Sequence, residues 1–187
     1  MHETSLGQTI RDYLTGEEVE NTSYEDFRQA LARLLVEELG YPRDRLRPKV
    51  GVAFPLDGQD YCRVADLVAY ADDGRPLLLI LFGAGQPGSF DRELLAAARL
   101  LPGGPAPLAA ATNTEDAVLH ATADGRRLAT GMAAIPRWER LAELAAAHPA
   151  APLPADRVER ERRILFTYSE FLATACCHTC RPKPSDR

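Results

Sequence analysis

Asp60 to Gly85 reads DYCRVADLVAYADDGRPLLLILFGAG. Apolar and β-branched residues fill both arms, and Asp72-Asp73-Gly74-Arg75-Pro76 stands between them. Two strands joined by a tight turn are therefore expected. The second arm, Leu77 to Phe82, is apolar throughout. That is the pattern of a strand buried on both faces. The first arm carries one acid, Asp66, inside an apolar run. A buried carboxylate is costly unless it is paired, placed at a strand end, or bound to a metal. Asp66 is thus the residue whose surroundings bear most on function.

On the N-terminal side, Arg47 to Phe54 reads as a further strand, followed by a turn at Pro55-Leu56-Asp57-Gly58. Before it lies a helix. Thr22-Ser23-Tyr24-Glu25 has the spacing of a capping box, and Phe27, Leu31, Leu34 and Leu35 share one face. Gly40 and Pro42 end it near Leu39. Residues 1–21 read as an arm in which Ile10, Tyr13, Leu14 and Val19 can pack inward.

On the C-terminal side, a second helix carries Leu94, Leu95, Ala98 and Leu101 on its inner face, with Ser89 or Asp91 as its cap. Ala106 to Thr112 is a short strand, and Ala117–Ala121 with Arg127–Thr130 a small hairpin. A third helix starts at Ile135-Pro136, a linker spans 149–154, and Asp156 opens a last helix. Helices interleaved with strands predict an α/β domain with one central mixed sheet flanked by helices, over 22–148. The early strands are close enough in sequence for an antiparallel meander. The C-terminal helix occupies 149–175 and a Cys-rich tail 176–187, expected to be disordered from Arg181.

The chain has 187 residues, a net charge of -5 and a pI near 5.4. This argues against a broad basic surface for non-specific nucleic-acid binding, though not against a local patch. No apolar run approaches the roughly 20 residues of a membrane span. The first residues lack a basic region followed by an apolar one, so a cytoplasmic location without membrane contact is expected. Lysine occurs only at Lys49 and Lys183.

The words LLVEELGYP (residues 34–42), RVADLV (63–68), GRPLLLI (74–80) and ATN (111–113) occur in an order and spacing that resembles one known family. It is the N-terminal nuclease domain of type I restriction enzyme R subunits, and more narrowly its small stand-alone bacterial versions. The resemblance covers roughly Thr22 to Leu128. It implies a restriction-endonuclease-like fold and, in active members, a PD-(D/E)xK site. There two acids on adjacent strands hold Mg²⁺ and a lysine positions the attacking water. Asp66 fits the first acid. The second acid and the lysine are expected at positions 81 and 83, where this chain has Leu81 and Gly83.

Three readings follow. The first is a degenerate, non-catalytic nuclease-fold protein that binds nucleic acid or a protein, with Asp66 a vestigial metal ligand paired to Arg63, Arg75 or a turn N–H. The second is an active Mg²⁺-dependent endonuclease with displaced groups: Glu38, Asp91 or Glu93 for the acid, Lys49 or Arg92 for the lysine. The third is a metal- or redox-responsive module built on Cys176-Cys177-His178-Thr179-Cys180. Cys177 and Cys180 have the spacing of a zinc ligand pair, with Cys62, His120 and His148 as distant candidates. The competing reading of that tail is a frayed helix end with exposed thiols. The Gly83–Gly88 loop lacks the Gly-Lys-Ser/Thr ending of a phosphate loop. It reads as a plain connection, with Gln86 and Ser89 as the side chains able to help hold an anion.

Overall fold

The computed structural model describes residues 5–83 and 85–175, with side chains to residue 168. At its centre is a six-stranded mixed sheet in the order β3-β4-β5-β6-β7-β8. Its strands are β3 (Leu46–Leu56), β4 (Gln59–Tyr70), β5 (Pro76–Phe82), β6 (Leu108–Thr112), β7 (Ala117–Ala121) and β8 (Arg127–Thr130). β3, β4 and β5 form the expected antiparallel meander. β5 and β6 are parallel, joined through α2 (Asp91–Arg99), and the remaining pairs are antiparallel.

Every residue of β5 is buried, because helices cover both faces of the sheet. Leu78 and Ile80 face α1 (Ser23–Arg33) and α3 (Trp138–Ala147), with Leu31, Leu35, Leu141 and Ala145. Leu79 and Leu81 face α2 and α4 (Ala155–Ala175), with Leu94, Ala97, Ala98 and Leu165. Two apolar layers thus enclose one strand.

α1 begins as the capping box predicts: the Thr22 side chain accepts from the Glu25 N–H at 3.0 Å. The Glu25 carboxylate does not lie back over the cap; it meets Arg28 and Lys49. The helix continues through a π-helical turn at Leu34–Glu38, and Gly40 adopts a φ of 76°, the left-handed conformation of a helix stop. The Asp57-Gly58 turn between β3 and β4 has both residues at positive φ. This is the geometry that suits a two-residue hairpin, so Pro55 and Leu56 belong to the strand and not to the turn. α2 starts at Asp91, after a 3₁₀ turn at Pro87–Phe90, without a side-chain cap from Ser89.

The N-terminal arm is more regular than its sequence suggests. β1 (Ser5–Arg11) and β2 (Glu18–Thr22) pair as an antiparallel ribbon outside the main sheet. Its turn is fixed by Asp12, whose Oδ1 accepts from the Leu14 and Thr15 N–H groups at 2.8 and 2.9 Å. The Tyr13 N–H donates to Gln29 Oε1 at 2.7 Å and ties the turn to α1.

Candidate functional site

Asp66 lies near the middle of β4, 2% exposed. Along β4, Leu67 and Ala69 join the core beneath α1 and α3, whereas Val68 joins the core beneath α2 and α4. Ala65 also lies in the core beneath α2 and α4, so the alternation breaks at Asp66, and the acid that acts on its carboxyl, Glu93, comes from α2. The Asp66 carboxylate is met by the end of the neighbouring strand: the Phe82 N–H donates to Asp66 Oδ2 at 2.6 Å. Neither arginine expected from the sequence reaches it. Arg63 donates from Nε to Glu93 and from Nη1 to the Val64 carbonyl, and Arg75 donates to Asp73. Of the pairings foreseen, only the backbone N–H is realised, and it comes from a strand end and not from a turn.

Burial pushes the Asp66 carboxyl up to about 8. The Phe82 N–H opposes this and the negative charge of Glu93 adds to it. Asp66 is therefore protonated at neutral pH. Glu93 is 1% exposed and reaches inward from α2, with the Arg63 guanidinium on its carboxylate. Among the acids considered as substitutes, Glu93 alone approaches Asp66. Glu38 is exposed. Asp91 Oδ2 accepts from Arg127 Nη2 at 2.8 Å and faces His120 Nε2 at 3.3 Å. Burial, outweighing the pull of Asp91, holds the His120 imidazole below its usual range and neutral.

The lysine substitutes are placed elsewhere. Lys49 stands opposite Asp66 on β3, between the pairs Pro48–Leu67 and Val50–Ala65. Its φ of 52° is strained for a residue with a side chain. Its ammonium lies 2.9 Å from Glu25, on α1. Arg92 is exposed.

Positions 81 and 83 are filled in a way that bears on chemistry. Leu81 is 3% exposed and packs among the side chains beneath α2. Gly83 has no room for a side chain: a Cβ there would lie 2.6 Å from Cζ and 2.7 Å from Cε2 of Phe90. On the other face Phe82 stacks on Phe27 at 5.2 Å between centroids and meets Tyr24 at 5.7 Å. Aromatic rings thus pack the end of β5 from both sides.

A second buried group of charge escaped the sequence reading. Arg28, fully buried on α1, places Nη2 between Asp12 and Glu25, and its Nε donates to Glu25 Oε2 at 3.2 Å. Gln29 Nε2 donates to Glu25 Oε1 at 2.8 Å. Burial alone would raise both carboxyls. The arginine, with the Thr15 N–H at Asp12 and Lys49 at Glu25, outweighs it and holds them below the usual range. The Glu25–Arg28 spacing was the available signal.

Among the described residues no group of three or more His, Cys, Asp or Glu side chains could hold a metal ion. Cys177 and Cys180 lie outside the described residues, and Cys62 is half-buried in β4. The Gly83–Gly88 loop is tied down by Asn113, which donates from Nδ2 to the Gly85 carbonyl at 2.8 Å. Among the described residues no helix is long and apolar enough to cross a membrane.

No curated protein and no solved structure matches the chain. The family model for the type I restriction enzyme R protein N terminus (HSDR_N) matches residues 23–136. That span opens with α1 and runs through β8, so it holds the whole central sheet, Asp66 and both filled positions. With its mixed sheet between helical layers, the chain belongs to the type I restriction enzyme R protein N-terminal family and has a restriction-endonuclease-like fold.

Proposed function

We propose that this protein is a nuclease-fold domain that no longer cuts and acts by binding nucleic acid or a protein partner. The observation that carries this reading is the pair of filled positions at the end of β5. Leu81 offers no oxygen to a cation, and the Phe90 ring occupies the space a side chain at Gly83 would need. The remaining carboxylates do not fit Mg²⁺, which takes six oxygens in near-octahedral array and releases its waters reluctantly. Asp66 is neutral and held by a backbone N–H, and Glu93 already carries the Arg63 guanidinium. A fixed positive charge from β4 thus stands where a metal site would need an open ligand.

A second reading, an endonuclease with displaced groups, draws on one observation: two buried carboxyls, Asp66 and Glu93, interact across β4 and α2. Incubation with supercoiled plasmid and Mg²⁺ or Mn²⁺ separates the two. The first reading predicts no metal-dependent nicking. Nicking that disappears in Asp66→Ala would establish the second. A mobility-shift titration then sorts the partner, because contacts to phosphates weaken steeply as salt rises.

A further inference from the structure

Beside the ribbon turn lies an open groove between the turn and the start of β3. Leu14, Leu46 and Pro48 form its apolar lining, and Arg43 and Arg47 stand at its rim. Both arginines are exposed. Among the described residues neither has a carboxylate partner. The one acid at the rim, Asp44, lies 3.7 Å from Arg45. Arg43 is held in place by Tyr13, with its guanidinium carbon 4.2 Å from the ring centroid, and Tyr13 OH donates to Glu37 at 3.1 Å. The groove is therefore a positively charged, partly apolar surface on a chain of net charge -5.

The complement is carried by the same chain. Glu17, Glu18 and Glu20 follow the turn directly, all exposed and none with an ion-pair partner among the described residues. Glu18 and Glu20 share the exposed face of β2, with the half-buried Val19 on the other. Two acids on one strand face, two residues apart, are the charge that a two-arginine groove accepts. Both surfaces flank Leu14 and Thr15. A two-fold axis beside that turn would let each copy present its acids to the other's arginines, so a single patch supplies both halves of the contact.

We propose that the Arg43–Arg47 groove docks the Glu17–Glu20 segment of a second copy of this chain, forming a reciprocal dimer. The contact is small and led by charge, so it is weak, reversible and salt-sensitive.

Sedimentation velocity across a range of protein concentrations tests this. The wild-type chain is expected to dimerise reversibly in low salt. Going from about 0.05 to about 0.5 M NaCl should weaken the dimer at least tenfold, as screening of exposed charges requires. The double variants Arg43→Glu, Arg47→Glu and Glu18→Arg, Glu20→Arg should each be monomeric, since each sets like charges face to face. An equal mixture of the two should form a heterodimer, because both contacts are then again of opposite sign. The milder Arg43→Gln, Arg47→Gln chain should weaken the dimer while melting as the wild type does. A monomeric wild type, a dimer indifferent to salt or charge reversal, or a mixture that stays monomeric would each overturn the proposal.

Discussion

Asp12 and Glu25 are as closed to solvent at the surface as Asp66, yet their carboxyls are driven in the opposite direction. At the junction of ribbon and helix, two acids share the Arg28 guanidinium, Lys49 adds its charge, and both acids stay ionised. At the strand ends two acids have one arginine between them, and Arg63 goes to Glu93. Asp66 is left with one backbone N–H and takes a proton. Burial raises all three carboxyls and weighs most on Asp66, which lies deepest. Depth and the local count of cations together decide whether ionisation or protonation results.

Breaking the first region is expected to have the larger effect. Arg28→Met removes the shared cation and leaves two buried carboxylates facing each other. The expected loss is about 3–5 kcal/mol, as for other buried ion pairs cut on one side. Urea denaturation with an unchanged slope measures it, and a loss below about 1 kcal/mol would mean the network contributes little beyond what exposed pairs do.

The second region sharpens the contrast through pH. The folded-state carboxyl of Asp66 sits near 8 against 3.8 when unfolded, so between these values the native state holds a proton that the unfolded chain has released. Its contribution to stability is full below the unfolded value and is lost as pH rises through about 8. Asp12 and Glu25 have the reverse sign: their stabilisation is present above the ordinary carboxylate range and is lost as pH falls below it. Asp66→Asn keeps an acceptor for the Phe82 N–H but cannot ionise. It should flatten the decline of stability from pH 5 to 9 and exceed the wild type at the alkaline end, by roughly 2–5 kcal/mol. Melting both proteins at intervals across this range is the check. Parallel curves would mean that Asp66 is ionised in the fold.

The sheet was legible because its strands announce themselves. The Leu77–Phe82 run is apolar throughout, as a strand between two helical layers must be, and the turns carry their glycines where positive φ is needed. The ribbon was not legible. β1 is exposed over nearly all its length, so no apolar alternation marks it, and a two-stranded ribbon has little stability by itself. It is held by Asp12, Tyr13 and the buried polar side of α1. Arg28 and Gln29 look like solvent-facing helix residues until the ribbon covers them. At the candidate site the sequence singled out Asp66 and showed Leu81 and Gly83 at the two other positions. It could not foresee that Phe90, seven residues along the chain from Gly83, would pack into the space opened by the glycine. Nor could it assign Arg63 to Glu93 across two elements.

A neutral carboxylic acid at Asp66, in place of an open metal ligand, has a direct signature in its titration. An NMR titration of the Asp66 side-chain carboxyl carbon, with and without Mg²⁺, tests it most directly. The expected midpoint is near 8, and Mg²⁺ leaves it in place. A midpoint in the ordinary carboxylate range, or one that Mg²⁺ drags downward, would contradict it.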